Sequence, residues 1–381
     1  MKKFLEIIKD EFNKFIKDPA ITLIMIIGVI AYPLFYAIPY STEVIREAPI
    51  SVVDMDNSQL SREFIRNIDA TDSIKVISKT TTNIEAEKDF YKDEIKGFIN
   101  IPKDFEKNIK QGKQTNLSLY VDSSYMIIYK AIYSKTMETA LEMGAKIEIA
   151  KMIKQGIPTQ KAIAIKQPFE FIQVPLYNIA GGYATYAYPM ILILIMHQTL
   201  LLGLLIRLAT RKERKEPYCE DIKQIPMNIF ARVSFYVLLY LVYSLVFFLI
   251  YPNLINYPMS YNVIPLFLML IPLYYSVGFF AHTISPIFKE REIPILFVVA
   301  TSLIFIFLPG LIWPKEAIPQ AINILSSFIP ATYSVDGIIK INQMNATFWD
   351  IKSNFIWMIT LSFLYFFIAI KIFKNEEFKG E

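Results

Sequence analysis

Residues 19–40 read PAITLIMIIGVIAYPLFYAIPY. They are apolar over a length that crosses a hydrocarbon core of about 30 Å, which takes about 20 helical residues. The next comparable stretch begins near Tyr183, and residues 41–180 between the two are polar. Apolar stretches then follow in quick succession at 183–206, 229–251, 262–284, 293–312 and 353–373. This spacing predicts a membrane α-helical fold of six transmembrane helices in a 1 + 5 layout, with one inserted soluble domain. Composition agrees: 54% of the residues are hydrophobic, against about 45–50% in soluble globular chains.

The segment before the first apolar stretch is itself patterned. Residues 1–18, MKKFLEIIKDEFNKFIKD, place Phe4, Leu5, Ile8, Phe12, Phe15 and Ile16 at helical spacing, with Lys and Glu between them. That is an amphipathic helix with a basic polar face, suited to a membrane interface. Lys17-Asp18-Pro19 ends it and starts the first span. The apolar run exceeds a signal-peptide core and no A-x-A-like site follows, so a retained helix is expected.

Within residues 41–180, strand and helix patterns alternate. Strands are expected at 50–53, 74–78, 95–101 and 115–121. Helices are expected from a Ser58 cap to Arg66, at 83–92, at 102–110 and from Tyr125 to about Gln155. Alternation of this kind predicts a small α/β domain. Residues 156–180, with Pro158, Pro168 and Pro175, read as a connection back to the membrane.

Orientation follows from Lys and Arg in short loops. The loop after the second span carries Arg207, Arg211, Lys212, Arg214, Lys215, Lys223 and Arg232, whereas 252–261 carries no Lys or Arg. Lys289 and Arg291 mark the loop after that, and the two ends of the chain are lysine-rich. Both termini are therefore expected in the cytoplasm and the α/β domain on the external or periplasmic side, in the inner (plasma) membrane.

The sequence holds no energy source of its own. No G-x-x-x-x-G-K-[ST] loop and no H-E-x-x-H motif occurs. Cys219 is the single cysteine, and His197 and His282 are the two histidines, so no Cys/His set has zinc spacing. The spans are nearly free of ionisable residues, unlike those of ion-coupled carriers. His197 and His282 are expected to be hydrogen-bonded at helix interfaces. The chain calls for an external motor, whose attachment candidates are 207–228, the N-terminal helix and the turn 286–292. Between the last two spans, residues 313–345 are too apolar for an ordinary loop and too broken by Pro314, Pro319 and Pro330 for a span. A pair of short re-entrant or interfacial helices fits there, with Trp313 and Tyr333 as interfacial anchors.

Four motifs then resemble the permease subunits of ABC-2 type exporters. They are Glu11-Phe12 followed by Lys17-Asp18-Pro19; the strand and turn Ile50-Ser51-Val52-Val53-Asp54-Met55-Asp56-Asn57-Ser58; Tyr177-Asn178, Pro189 and Gln198-Thr199-Leu200-Leu201-Leu202-Gly203; and Gly310, Trp313-Pro314, Pro319, Pro330-Ala331-Thr332 and Gly337. Lys17 stands where the family pattern has Arg, His197 falls at a commonly Gln-rich step, and 286–292 follows no family pattern. The resemblance implies a transport subunit without catalytic, cofactor or metal residues, with ATP and Mg held by a separate ABC ATP-binding subunit. It also implies a second permease copy, in a homo- or heterodimer, membrane lipid and, in relatives, a periplasmic membrane-fusion adaptor; nucleic acid has no place in it. It points to Glu11, Lys17, Arg211 and Arg214 as ATPase-coupling residues. Gln198, Trp313, Pro314 and Pro330 fall to the substrate path. The expected cargo is an amphiphilic or hydrophobic, drug-like or lipid-like molecule leaving the cytoplasm or inner membrane. Two other classes compete: a membrane receptor or scaffold using its external domain, and a carrier coupled to ions through His197 or His282.

Overall fold

The computed structural model describes residues 2–40, 44–169, 172, 174–178, 181–219, 221–255, 262–308, 313 and 315–378. Pro314, Gly310 and the rest of 309–312 lie outside them. The chain divides into two compact units, Val44–Val174 and Met1–Glu43 with Pro175–Glu381.

Helix α1, Lys2–Lys17, is strongly amphipathic and buries Glu11 and Phe15. Its aromatic face meets the helix at Ile222–Leu254, with Phe12 and Phe15 on Phe235 at ring separations of 6.0 and 5.6 Å. Helix α2 spans Pro19–Ala37. Asp18 caps it, accepting from the Ala20 and Ile21 amides at 3.1 and 3.4 Å, while Pro19 occupies the first turn, where its missing N–H costs nothing. Leu23–Gly28 inside α2 forms a π turn.

The unit Val44–Val174 is an α/β fold. Its elements are β1 Ala48–Asp54, α3 Gln59–Asp69, β2 Ile74–Thr80, α4 Asn83–Tyr91, β3 Gly97–Ile101, α5 Phe105–Lys110, β4 Ser118–Val121, α6 Met126–Lys154 and α7 Thr159–Lys166. The sheet order is β2-β1-β3-β4, with β1 parallel to both neighbours and β4 antiparallel on the edge. Because side chains alternate across a strand, Ile50, Val52, Ile99 and Ile101 pack with α3 residues Phe64, Ile65 and Ile68 and α6 residues Ile132 and Met143. Val53 and Phe98 face the other way, onto Ala86 and Phe90 of α4. Burial on both faces explains why β1 reads as an unbroken apolar run. Helix α7 arises where the sequence suggested only a connection: Pro158 precedes its first turn, and Lys166 pairs with Glu148 of α6.

The D-x-D-x-S motif is the hinge between β1 and α3. Asp54 accepts from the Asp56 and Asn57 amides at 3.1 and 2.8 Å and from the Ser61 hydroxyl at 2.8 Å. Ser58 caps α3 through the Ser61 amide at 3.1 Å, and Asp56 accepts from the Glu106 amide at 3.0 Å, starting α5. The motif is a scaffold for two helix ends. Ser58→Ala is expected to lower the stability of this unit by about 1 kcal/mol. Asp54→Ala, which removes three acceptor contacts, costs more. Native-state hydrogen exchange of the α3 amides checks the order.

Among the described residues, five further helices and one bent pair complete the other unit, Met1–Glu43 with Pro175–Glu381: α8 Tyr183–Glu213, α9 Ile222–Leu254, α10 Val263–Ile287, α11 Ile293–Phe307, the pair α12 Gln320–Ser326 and α13 Pro330–Met344, and α14 Phe348–Phe378. Among the described residues, α2, α8, α9, α10 and α14 are long and apolar enough to cross a membrane. Helix α11 has 15 residues, about 22 Å at 1.5 Å per residue. Helices α12 and α13 meet at 92°. Pro330 opens α13, and the Thr332 hydroxyl donates to the Ser326 carbonyl at 2.7 Å, tying the elbow. The P-x-T motif is thus the bend itself. Polar contacts stitch the long helices, as expected where the hydrophobic effect gives no drive for association: Tyr240 donates to Thr199 at 3.0 Å, and Ser276 meets Ser362 at 3.1 Å.

Candidate functional site

Helix α8 continues past the apolar stretch through Arg207 and Arg211 to Glu213, and α9 begins at Ile222, ahead of its own apolar stretch. The charged segment 207–228 is therefore helical over 207–213 and 222–228. Glu11, on α1, is 1% exposed. Its carboxylate accepts from Arg207 Nε at 3.2 Å, Arg232 Nη1 at 2.6 Å and the Tyr236 hydroxyl at 2.9 Å. Burial alone would raise the Glu11 pKa; the two guanidiniums and the Tyr236 hydroxyl together outweigh it and hold the carboxyl below its ordinary value.

A second layer surrounds this centre. Arg211 and Arg232 lie on the Tyr218 ring, each 5.0 Å from its centroid, a cation–π arrangement strengthened by desolvation. Burial pushes the Tyr218 phenol well above its ordinary pKa, so the residue stays neutral between the cations. Its hydroxyl meets His282 Nε2 at 3.1 Å, and His282 Nδ1 faces the Gly278 carbonyl at 2.8 Å. Since a carbonyl only accepts, Nδ1 carries the proton and Nε2 accepts from Tyr218. Arg211 and Lys212 pair with Glu376 of α14 at 3.5 and 2.8 Å. One polar core thus joins α1, α8, α9, α10 and α14.

Beside this core lies a cleft of about 150 Å³ lined by Lys14, Lys17, Arg207, Arg214 and Arg291 against Asp18 and Glu216. Arg291 reaches Asp18 at 3.0 Å, and its amide donates to Glu213 at 3.3 Å. The turn 286–292, which follows no family pattern, therefore closes one wall. Five cations face two carboxylates in this lining, and Lys14, Arg207 and Arg291 pair with Asp10, Glu11 and Asp18.

The structure separates the four expected coupling residues into two sets. Lys17 and Arg214 line the open cleft. Glu11 and Arg211 are buried in the polar core and present no exposed face. Tyr218 and Tyr236 complete the arrangement with Arg232 and Arg291, which the sequence marked only as loop cations that set orientation, Arg291 within the candidate turn 286–292. The signal available for Arg232 was an isolated cation inside an otherwise apolar helix.

The expected path residues are dispersed. Gln198 and His197 sit on α8, and among the described residues neither side chain has a hydrogen-bond partner. His197 is fully buried with its ring 5.3 Å from Phe305 of α11. His282 is hydrogen-bonded as expected; His197 is not. Pro330 is buried at the α12–α13 elbow and Trp313 is exposed. Tyr333, expected as an anchor, stacks on Trp357 at 5.5 Å. Among the described residues no group of His, Cys, Asp and Glu forms a metal site.

The long apolar helices, with a small α/β insert between the first two, define a multi-pass membrane protein. Residues 20–371 match the family described as ABC-2 family transporter protein, and the chain belongs to that family. No curated protein and no solved structure matches the chain.

Proposed function

We propose that this chain is the permease subunit of an ATP-driven exporter, and that a separate ABC ATP-binding subunit docks at the Lys17–Arg214 cleft. The observation that carries this reading is the convergence of α1, the end of α8 and the 286–292 turn on one basic cleft beside a buried ion-pair core. Segments far apart in sequence meet there, and the core behind them reaches α9, α10 and α14. Movement of a partner in the cleft is thereby passed to α8, α9, α10 and α14, four of the five long helices. Glu11 and Arg211 act inside this linkage, whereas Lys17 and Arg214 face the partner. In this reading the apolar stretch 293–312 counts as the sixth span, both termini are cytoplasmic and residues 41–180 are external. A second permease copy completes the path, and a membrane-fusion adaptor extends it. Lys17→Glu with Arg214→Glu is expected to abolish the Mg-ATP hydrolysis that accompanies the purified complex while leaving the fold intact by circular dichroism. Undiminished hydrolysis would remove the cleft from the mechanism.

His197 and Gln198 form the polar step of the path, beside α11, for an amphiphilic or hydrophobic cargo. An unpartnered buried polar group costs about 1–3 kcal/mol, so its presence on an apolar helix marks function over stability. His197→Leu is expected to raise the thermal unfolding midpoint and lower ATP-dependent export. A lower midpoint would show that the imidazole is a structural element and end this assignment.

A further inference from the structure

The α/β unit contains a cleft of about 520 Å³ between α6, α5 and the segment leading into β4. That volume lies within the range of about 300–1,000 Å³ typical of small-molecule sites. Its floor is the core itself: Phe64, Phe105 and Met143 are buried, and Leu117 and Ile147 are half-buried at its walls. Its charged lining is Lys113, Lys151 and Glu148. Glu148 is neutralised by its pair with Lys166. Lys151 is held in place by donating to the Ile109 carbonyl at 2.6 Å, and Lys113 has no ion-pair partner among the described residues. The cleft therefore has an apolar body and a net positive mouth.

Gly144 lies on the wall of this space. It lies in the interior of the 29-residue helix α6, where glycine is about 1 kcal/mol less favourable than alanine. A Cβ built on it meets nothing within 4 Å. A larger side chain at this position would therefore enter open space at the cleft wall.

We propose that this cleft binds an anionic amphiphile, an alkyl chain carrying a carboxylate or phosphate head. The chain lies on Phe105, Met143 and Ile147, and the head is held by Lys113 and Lys151 in charge-assisted contacts. This site is independent of the export reading: a chain that takes up the amphiphile but recruits no ATPase, or the reverse, separates the two.

The test uses the full chain in lipid nanodiscs with photoactivatable long-chain probes of three kinds, a fatty acid, a lysophosphatidic acid and the fatty alcohol. Cross-linked peptides are mapped by mass spectrometry, with labelling of α8–α14 as the internal reference. Either anionic probe is expected to label peptides containing Leu117 and Met143–Ile147, and which of the two does so identifies the head. The alcohol is expected to label them roughly tenfold less, the loss of one charge-assisted contact at about 1.4 kcal/mol per decade. Gly144→Trp obstructs the wall over Met143 and Ile147 and is expected to abolish this labelling. Gly144→Ala, which strengthens the helix without filling the space, preserves it. Equal labelling by alcohol and acid, or labelling unchanged in Gly144→Trp, would overturn the proposal.

Discussion

Glu11→Ala lowers the stability of the helical unit by about 3–5 kcal/mol, the cost of removing one partner from a buried ion pair. The substitution strips Arg207 and Arg232 of their shared carboxylate, leaves Arg232 with Asp10 at 4.0 Å and the Tyr218 carbonyl, and deprives Tyr236 of its acceptor. Arg232→Ala is milder, because Glu11 keeps Arg207. The double variant Glu11→Ala with Arg232→Ala recovers part of the loss, since it removes one of the two stranded cations. Thermal unfolding midpoints of the four proteins, taken as a double-mutant cycle, check this order. A Glu11→Ala protein within about 0.5 kcal/mol of wild type, the range of ordinary surface changes, would contradict the buried geometry.

The pH dependence of that contribution has a defined sign. The Glu11 carboxyl is held below its ordinary value when folded. Its stabilisation is therefore present above the unfolded carboxyl pKa, about 4.3, and is lost as pH falls through the lower folded value. Between pH 5 and 8 this group contributes no slope to the unfolding midpoint.

Gly278→Ala and Gly203→Ala form a second, contrasting pair. A Cβ on Gly278 falls 2.4 Å from Val233 Cγ1, and one on Gly203 falls 2.2 Å from Met25 Sδ. Both glycines lie where long helices touch, the close approach that small residues permit in membranes. Val233 is β-branched and held to one rotamer in a helix, so it cannot yield. Met25 has three rotatable bonds beyond its Cα and can. Gly278→Ala is expected to cost about 1–3 kcal/mol by overpacking, and Val233→Ala in the same chain restores most of it. Gly203→Ala costs less, and Met25→Ala restores it. Equal losses, or no rescue by Val233→Ala, would show that the helices separate instead of resisting.

The local signals of the α/β unit were legible because they are short-range. Ile50–Val53 is β-branched and apolar, Ser58 is a cap residue, and Tyr125–Gln155 keeps a helical period without proline. The observed β1, α3 and α6 lie on those stretches. What escaped the sequence depends on distant partners. Arg207 and Arg211 read as loop cations because nothing nearby neutralises them; Glu11, 196 positions away in the chain, does so for Arg207. For the same reason Glu11 looked like a surface contact on an amphipathic helix and proves to be the centre of a buried core. Arg291 lay in a turn without a pattern and meets Asp18 across 273 positions. Lys17 and Arg214 were legible as cations near helix ends, but their shared cleft was not.

The proposed role, permease partner of a separate ATPase engaged through the basic cleft, predicts a stable complex of the two chains. The most direct measurement is the composition of the complex purified from native membranes in mild detergent, quantified by mass spectrometry. An ABC ATP-binding protein in equal amount to this chain, lost from the Lys17→Glu, Arg214→Glu variant, is the expected result. A complex that contains no ATP-binding subunit would contradict the account.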